Sequence, residues 1–362
     1  MYRPDSEHFG QPVTRLHYPC GDAPGPGQAI EIAPGVLWMR LSLPNVLKHI
    51  NVWAIEDGDG WAIVDTGMLS PETAQAWETL LAGPLGGRPV TRVFVTHQHP
   101  DHVGMAGWLA ERFGCRLWMT RLEYLHSLAM VAEVGQEAPP EGLAFYRRAG
   151  WGEAALAGYR NRFGRAGKVV SRLPGSFRRI EDGAILRIGT HDWQVVIGEG
   201  HTPEHACLYS RDLRVMIAGD QVLPRISSNV SVHPMEPDAN PLAGWQASLA
   251  RIRGRVPAEA LVLPAHNEPF EGLHARIDRL EQALWRGVAR LREALREPRR
   301  VVDLFAVLFA TPVKGCDALQ YALATGEAMA HLNYLDALGE LEVQVDADSV
   351  AWYRARRPVM SA

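Results

Sequence analysis

Apolar residues in the first part of the chain occur in short blocks that turn-forming residues separate. Between residues 29 and 66 these blocks follow the pattern of β-strands. An Asp-Gly-Asp-Gly turn at 57–60 separates the last two blocks and is typical of a hairpin. We predict hairpin-like strands over residues 30–32, 35–43, 50–55 and 61–64.

The pattern then changes to an alternation of helix and strand. Ser70 is a candidate helix cap and Pro71 a first helical residue, so a helix is predicted as far as Leu81. A strand over 90–95 and a helix from about 101 to 113 follow. Because strand and helix alternate, the chain is predicted to form an α/β layered fold.

A helix-like segment rich in aromatic residues and then in arginines interrupts this alternation. We predict that residues 120–180 form a helical insert that covers a site. Candidate substrate residues within it are Tyr124, Tyr146 and Tyr159. The stretch from 147 to 179 holds nine basic residues, with Glu153 as its sole acid. Such a patch suits bound phosphates, but a solvated helical face would have the same composition.

The β pattern resumes after the insert and ends in a mainly helical C-terminal part. Strands are predicted over 184–188, 193–198, 205–209, 215–218 and 261–264. An amphipathic helix over 274–297 follows, with apolar residues along one face. The remainder is predicted as helices over 301–309, 318–324 and 326–338, then a hairpin that begins at 341–345 and turns through 346–348. That order is typical of a small winged-helix domain.

Composition narrows the class of protein only slightly. The chain of 362 residues is 47% hydrophobic and 22% charged, with a net charge of -4, so the protein as a whole is not a polyanion binder. No basic start precedes an apolar segment, and no apolar run approaches the roughly 18 residues of a membrane span. We predict a cytoplasmic protein without membrane contact. Its scattered cysteines are predicted to be reduced core residues: Cys20, Cys115, Cys207 and Cys316.

The densest chemistry lies directly after the predicted strand at 90–95. The segment Thr-His-Gln-His-Pro-Asp-His at 96–102 places three imidazoles and a carboxylate within six residues. In an extended segment, side chains two residues apart point the same way, so His97 and His99 can share one ion. Imidazole nitrogens and carboxylate oxygens are the ligands that zinc prefers. The motif therefore predicts a metal site.

Four more residues lie just past the ends of predicted strands, where α/β folds place ligands. They are Asp65, His201, Asp220 and His266. A lone histidine at a strand end is more often structural than a ligand, and an isolated aspartate often caps a helix or turn. Only the order of these residues along the chain distinguishes a shared site from separate structural roles.

In that order the motifs resemble those of the metallo-β-lactamase superfamily of hydrolases, over roughly residues 28–270. The resemblance implies an αββα four-layer sandwich of the α/β class, with a helical insert. It places a catalytic domain at 1–272 and a linker helix with a winged-helix-like domain at 273–362. This organisation is similar to that of the lactamase-like group related to glyoxalase II, which includes thioesterases and an RNA-cleaving enzyme.

The resemblance also implies a pair of metal ions, expected to be two zinc ions, with iron or manganese as alternatives. One ion is assigned to His97, His99 and His201. The second is assigned to Asp101, His102 and His266, with Asp220 as a bridge. A hydroxide held between the metals would be the nucleophile, and Asp101 would orient it or accept a proton.

Two further residues are expected to support the ligands from behind. Asp65 resembles the family aspartate that orients a ligand or the motif loop. His205 is either such a supporting residue or a buried strand histidine. His201 is assigned as the ligand in preference to His205, because it belongs to a Gly-His element that matches the family.

Substrate recognition is less well determined by the sequence. The polar loop after Asp220 contributes the candidates Arg225, Ser227 and His233, although a solvated loop would look similar. With the insert, these residues favour hydrolysis of a thioester, ester or lactone, with a small acyl-CoA-like molecule as substrate. A true β-lactamase is disfavoured, since those enzymes usually carry cysteine or serine in place of Asp220.

Two other activities remain as alternatives: hydrolysis of RNA phosphodiesters, and a persulfide dioxygenase with one iron. The predicted helix at 326–338 has no lysine or arginine, whereas a helix that faces phosphates should be basic. Nucleic-acid binding by the C-terminal domain is therefore disfavoured. Packing, closing off the site or formation of a homodimer suits this domain better.

Overall fold

Two β-sheets form the centre of the protein. The computed structural model describes residues 15–313 and 317–356, so Cys316 lies outside the described residues. The first sheet has seven strands in chain order: β1 (Ala29–Ala33), β2 (Val36–Ser42), β3 (His49–Asp57), β4 (Gly60–Val64), β5 (Val90–Phe94), β6 (Arg116–Met119) and β7 (Arg178–Arg179). Its first four strands are antiparallel, as hairpins require, and β4 to β7 run parallel.

The second sheet has five strands in the order β12-β11-β10-β9-β8. They are β8 (Ile185–Ile188), β9 (His191–Gly198), β10 (His205–Ser210), β11 (Val215–Gly219) and β12 (Leu261–Pro264). Strand β12 pairs in parallel with β11, whereas the other neighbours are antiparallel. All five strands predicted after the insert are therefore present in one sheet.

The ten helices of the described chain cover the outer faces of the sheets and build the insert. They are α1 (Pro71–Ala82), α2 (Pro100–Val103), α3 (Ala106–Phe113), α4 (Arg121–Ala132), α5 (Pro140–Arg148), α6 (Glu153–Arg162), α7 (Pro241–Arg255), α8 (Leu273–Ala294), α9 (Phe305–Leu308) and α10 (Ala318–Ala337). A hairpin of β13 (Leu341–Val345) and β14 (Ala351–Ala355) follows. No helix among the described residues has the length and apolar character to cross a membrane.

Three hydrophobic clusters show how the layers are held together. Trp38, Trp53 and Trp193 are almost completely buried between the two sheets, where apolar burial stabilises the sandwich. Trp77 of α1 and Leu109 of α3 belong to a second cluster against the outer face of the first sheet. The helices α7, α8 and α10 share a third cluster with the outer face of the second sheet. The predicted αββα sandwich is confirmed.

The predicted helix at 101–113 is in fact two helices, α2 and α3. The chain between them makes backbone hydrogen bonds to other segments: Met105 N–H donates to the carbonyl of Gly67, and Ser171 N–H donates to that of Gly104. A Cβ on Gly104 would lie 2.5 Å from the Gly67 carbonyl oxygen. This close approach of three chain segments interrupts the helix just after the metal motif.

The C-terminal part differs from the prediction in a similar way. The two helices predicted at 318–324 and 326–338 are one continuous helix, α10. Gly326 does not break it; a Cβ there would lie 2.7 Å from that of Ser231, and the Gly326 carbonyl accepts a hydrogen bond from Val232 N–H. The absence of a side chain at Gly326 leaves space for the loop that contains Ser231. The segment predicted as a helix at 301–309 is a 3-10 turn, Val301–Leu304, followed by the short α9. The winged-helix-like arrangement and the domain boundary stay predictions.

Helix α7 was not predicted, although its sequence carries the necessary pattern. Leu242, Trp245, Leu249 and Ile252 are buried at helical spacing. Asn240 caps the helix by accepting a hydrogen bond from Ala243 N–H. Among the described cysteines, Cys207 is buried and Cys20 and Cys115 are half-buried, all with free thiols.

Candidate metal centre

The metal motif lies on the loop that joins β5 to α2, at the carboxyl ends of the parallel strands. His97 is completely buried. Its Nε2 lies 2.9 Å from Nδ1 of His99 and 3.3 Å from Nε2 of His201, which follows β9. Asp220 directly follows β11, and His266 lies two residues beyond β12. The fold therefore brings ligands from both sheets to one place.

The potential ligand atoms form two groups, each with all its atoms within 4.8 Å of one another. The first group contains His97, His99, His201 and Asp220, and the second contains Asp101, His102 and His266. These seven residues are those that the sequence identified as candidate ligands. The division into two groups also agrees with the one expected from the resemblance.

Asp220 lies between the two groups. Its Oδ2 is 3.4 Å from Nε2 of His201 in the first group and 3.6 Å from Nε2 of His102 in the second. Its Oδ1 is 3.5 Å from Nε2 of His266. The two oxygens of this carboxylate therefore face imidazoles of both groups.

The donor atoms fit a divalent metal. Nε2 of His102, Nε2 of His266 and Oδ1 of Asp220 are buried without a hydrogen-bond partner among the described residues. The opposite ring nitrogens are engaged: Nδ1 of His266 donates to the carbonyl of His49 at 2.9 Å, and Nδ1 of His201 to that of Asn229 at 2.7 Å. Their Nε2 atoms thus keep lone pairs that point inward, and imidazole and carboxylate together suit borderline divalent cations.

Burial and mutual repulsion keep two of the imidazoles neutral. Burial, together with the neighbouring His102 and His99, lowers the pKa of His97 well below its usual value. Burial and the nearby His201 lower the pKa of His99 to about 3. A neutral imidazole is the form that binds a metal, so these two residues are ready to act as ligands.

His102 lies in the opposite electrostatic environment. Burial opposes a charge on its ring, but three neighbouring carboxylates outweigh that effect and hold the pKa of His102 well above its usual value. The carboxylates are Asp65, Asp101 and Asp220. A cation beside Nε2 would therefore be favoured here by the same negative charges.

Asp65 connects β4 to the motif. It has a left-handed backbone, φ 61°, which aspartate tolerates better than most residues. Its Oδ1 accepts a hydrogen bond from Thr96 N–H at 2.8 Å, and its Oδ2 accepts one from Nδ1 of His102 at 2.8 Å. These contacts orient the His102 ring with Nε2 towards the site, as expected for a residue that supports a ligand.

His205 contacts the backbone of the central carboxylate. Its Nε2 accepts a hydrogen bond of 3.0 Å from Asp220 N–H, and burial lowers the pKa of His205 well below its usual value. Gly219 makes this approach possible, because a Cβ there would lie 2.5 Å from that same Nε2. His205 therefore supports Asp220 from behind, and the first metal group is formed without it.

Sequence reasoning did not identify Glu123 of α4, although its side chain is completely buried beside the site. Its carboxylate accepts hydrogen bonds from Gln98 N–H at 2.9 Å and Glu204 N–H at 2.8 Å. Gln98 lies between two ligands, and Glu204 lies three residues after His201. Glu123 thus joins the two ligand loops. Its position in an insert assigned to substrate recognition concealed this role.

A second unidentified carboxyl, Glu327 of α10, approaches the site from the C-terminal part. Its Oε2 accepts a hydrogen bond of 3.0 Å from the side-chain amide of Asn229. The backbone carbonyl of Asn229 in turn accepts a hydrogen bond from Nδ1 of His201. Burial raises the pKa of Glu327 to about 7, although the bond from Asn229 opposes the shift. The C-terminal part is therefore linked to a candidate metal ligand through one residue.

The three tyrosines of the insert occupy packing positions. The Tyr124 ring stacks on Phe177 at 4.0 Å, and its hydroxyl donates to the Pro174 carbonyl. Tyr146 and Tyr159 pack on each other at 4.7 Å within the third hydrophobic cluster. These contacts explain the aromatic content of the insert by packing. A role for the three tyrosines in substrate binding stays a prediction.

The three candidates on the loop after Asp220 are all exposed, but they have different neighbours. His233 is exposed at the surface, although the protein atoms packed around its ring and the nearby imidazole of His201 lower its pKa. Ser227 is exposed. Arg225 is also exposed and contacts the ring of Tyr18, with its guanidinium carbon 4.7 Å from the ring centre. Of the three, His233 is the residue whose pKa is lowered by a candidate metal ligand, His201.

Comparison with known proteins agrees with this geometry. The family model of the metallo-beta-lactamase superfamily matches residues 46–266, and that of the metallo-beta-lactamase-like C-terminal domain matches residues 288–356. The crystal structure of a beta-lactamase domain protein from Burkholderia ambifaria is similar, with 39% identity and a TM-score of 0.86. The match covers 94% of this chain and 98% of that one.

Two curated relatives are more distant. The probable metallo-hydrolase YflN of Bacillus subtilis is 26% identical over 71% of this chain and 93% of its own length. The atrochrysone carboxyl ACP thioesterase of Emericella nidulans is 23% identical over 68% of this chain, and the match spans 60% of that enzyme. With its paired His/Asp groups suited to a divalent metal, the chain belongs to the metallo-beta-lactamase superfamily, whose members are hydrolases.

Proposed function

We propose that the protein is a dinuclear metal-dependent hydrolase that cleaves a thioester, or a related ester or lactone, of a small acyl compound. The observation that carries the proposal is the position of Asp220, whose two oxygens lie within 3.4–3.6 Å of imidazoles in both ligand groups. The similarity to an ACP thioesterase over 68% of the chain supports an acyl substrate. Zinc is the proposed metal, with iron or manganese as alternatives.

The metals, when bound, supply Lewis acidity and lower the pKa of water. The protein supplies the geometry and the acid–base groups. Hydrolysis of a thioester forms a bond between a water oxygen and the acyl carbon and breaks the bond from that carbon to sulfur. The water must lose a proton, and the sulfur leaves as a thiolate that can accept one.

Asp101 is the proposed proton acceptor. Its Oδ2 lies 3.4 Å from Nε2 of His266, and its side chain is 15% exposed, so it borders the space that a substrate would enter. Burial disfavours its charge, but His102 and His266 outweigh burial and lower the pKa of Asp101. The residue therefore stays a carboxylate that can orient a water and accept its proton.

The two alternative activities, RNA hydrolysis and persulfide dioxygenation, fit these residues less well. A phosphodiesterase would need a basic surface for the RNA backbone, and α10 contains no lysine or arginine. A persulfide dioxygenase would need one iron, whereas the ligand atoms of this chain form two groups. The C-terminal part is proposed to pack against the site. Formation of a homodimer and a cytoplasmic location stay predictions.

The test is a substrate panel with zinc-loaded enzyme and quantitative metal analysis. We expect hydrolysis of acyl-CoA, glutathione thioester or lactone substrates, two metal ions per chain, and no turnover of single-stranded RNA. Turnover of RNA alone would overturn the proposal. One iron per chain with oxygen-dependent turnover of a persulfide would do so as well.

A further inference from the structure

Helix α4 is apolar on the side that faces solvent as well as on the side that packs on the protein. The packed side carries Tyr124, Met130 and Val131 of the second hydrophobic cluster. The opposite side is partly or fully exposed and forms what we call the leucine face: Leu122, Leu125, Leu128, Ala129 and Ala132. Its three leucines are between 38% and 49% exposed. Because a helix that is apolar all round is normally covered on every side, we expect a further molecule on this face.

The leucine face has the spacing of a contact between two helices. Leu122 and Leu125 are three residues apart, and Ala129 and Ala132 repeat this pair seven residues later. Apolar residues that alternate at intervals of three and four positions form the seam along which two helices pack. The leucine face therefore suits a second helix.

Two copies of this face complement each other when their helices are antiparallel. With the twofold axis between Leu125 and Ala129, Leu125 would lie opposite Ala129 of the partner subunit. In the same register Leu122 would lie opposite Ala132 of the partner subunit. Each large side chain then meets a small one, so the two faces can interdigitate.

Opposite charges at the two ends of α4 fit the same arrangement. Arg121 begins the helix and is exposed, and Glu133 follows its last residue and is half-buried. Neither side chain forms an ion pair within residues 15–313 and 317–356. Burial raises the pKa of Glu133, and no cation of the described chain opposes that shift. The antiparallel register would bring Arg121 level with Glu133 of the partner subunit, where the two charges attract each other.

The acyl chain of a substrate would explain the exposed leucines but not these charges. A hydrocarbon chain carries no group that compensates Arg121 at one end of the face and Glu133 at the other. A second copy supplies an apolar seam of the same spacing and both opposite charges at once. The leucine spacing and the charges together therefore favour a second copy.

We propose that the leucine face of α4 binds the same face of a second copy, with the two helices antiparallel, in a symmetric dimer. Such a contact uses one surface on both subunits and closes on itself. Glu123 of the same helix accepts hydrogen bonds from Gln98 and Glu204 in the two ligand loops. The dimer contact and the metal centre would thus share one helix.

Sedimentation equilibrium over a range of protein concentrations tests the dimer. A contact between two short helices is smaller than the roughly 1,600 Å² buried in a typical stable complex, so we expect a dissociation constant of about 10 μM. The average mass should rise from the chain mass of 40.0 kDa towards twice that value as the concentration increases. A protein that is still monomeric at about 100 μM would overturn the proposal.

Leu125→Glu tests whether the leucine face is the contact. Each subunit would bury a charge against the other, so the dissociation constant should rise at least about tenfold. Leu319→Glu is the matched control, because Leu319 of α10 is also a helical leucine that is 49% exposed. It should dimerise like the parent protein. Circular dichroism and metal content show that both variants are folded. Equal dimerisation of the parent protein and the folded Leu125 variant would refute this contact.

Exchange of the two end charges tests the register. Arg121→Glu and Glu133→Arg should each raise the dissociation constant about three- to tenfold, because like charges would then be level with each other. The double variant should regain the parent value. Both substitutions suit the helix dipole, with an acid at the start and a base at the end, so α4 should be retained. A double variant that dimerises as weakly as either single variant would exclude the antiparallel register.

The mass measurements need no substrate, so their outcome is independent of the proposed hydrolase function. The acyl chain is recognised by a different result. If the parent protein is monomeric, and Leu125→Glu raises KM for a dodecanoyl thioester but not for an acetyl thioester, the leucine face binds the acyl chain and the dimer is refuted.

Discussion

The buried carboxylate of Glu123 accepts a hydrogen bond from the backbone N–H of Gln98 at 2.9 Å. Its second oxygen accepts one from Glu204 N–H at 2.8 Å, so one side chain of the insert holds both ligand loops. The insert therefore has a structural function in the metal centre in addition to any contact with substrate.

Glu123→Gln should weaken metal binding while the protein stays folded. A carboxamide offers only one acceptor oxygen, so one of the two backbone N–H groups would lose its partner, at a cost of about 1–3 kcal/mol. We expect metal affinity to fall about 10–100-fold, as for other residues that orient ligands. Competition with a chelator measures this. Glu111→Gln, an exposed position on α3, should leave the affinity unchanged; equal affinities for all three proteins would exclude the role of Glu123.

Asp220→Asn should separate metal binding from folding. The substitution keeps the size of the side chain but removes the negative charge that faces both ligand groups. We expect kcat to fall by about 10²–10³-fold and the metal content to drop below two ions per chain. Asp192→Asn, an exposed residue paired with Arg187, is the control. Full metal content and full activity in the Asp220 variant would contradict the bridging role.

Glu327→Gln should change how stability depends on pH. Burial raises the pKa of Glu327 from its usual 4.5 to about 7, so the folded state retains a proton that the unfolded state releases. Between about pH 4.5 and pH 7 the folded state binds more protons, and stability falls as pH rises. The glutamine variant lacks this loss. Between pH 5 and pH 8, its free energy of unfolding should fall by on the order of 2 kcal/mol less than that of the parent protein.

Urea denaturation at the two pH values measures the effect. Glutamine retains an oxygen that can accept the hydrogen bond from Asn229, so the packing of α10 should be preserved. Glu342→Gln, an exposed residue of β13, should behave like the parent protein. Parallel pH profiles for the parent and the Glu327 variant would show that this carboxyl does not titrate in that window.

Gly219→Ala should destabilise the protein more than Gly114→Ala, a substitution with similar backbone strain. Gly219 and Gly114 both have a positive φ, 50° and 62°. A Cβ at 219 would lie 2.5 Å from Nε2 of His205, whereas a Cβ at 114 meets nothing within 4 Å. Both variants should lose about 1–2 kcal/mol from strain, and Gly219→Ala about 1–3 kcal/mol more from overpacking.

Thermal or chemical denaturation of the two alanine variants measures this difference. The Gly219 variant should also lose metal affinity, because its methyl group would displace His205 from the Asp220 backbone. Equal destabilisation of the two variants, with unchanged metal affinity, would show that the contact between Gly219 and His205 is not restrictive.

The local pattern of the sequence predicted most of the strands and the candidate ligands. Strand positions such as 50–55 and 215–218 were recognisable because burial between two layers requires continuous apolar residues over a short range. The ligands were recognisable because His97, His99, Asp101 and His102 are close along the chain. The ends of β9, β11 and β12 then indicated where further ligands should be sought.

Local pattern was misleading where a distant segment determined the conformation. Two helices were predicted, at 318–324 and 326–338, yet Gly326 lies within the continuous helix α10 and makes space for Ser231. The helix predicted at 101–113 is divided because Gly67 and Ser171 bind its backbone. In both cases the deciding contact joins residues more than 30 positions apart along the chain, which no periodicity reports.

The order of motifs along the sequence, through its resemblance to the metallo-β-lactamase superfamily, indicated the fold family and the seven candidate ligands, and their residue types and places at strand ends suit metal chemistry. Only the tertiary structure showed that Asp220 reaches both ligand groups and that Glu123 joins two ligand loops. These relationships depend on side-chain packing between segments up to 81 residues apart. Such contacts arise from the burial of whole layers, which a local pattern of polar and apolar residues does not encode.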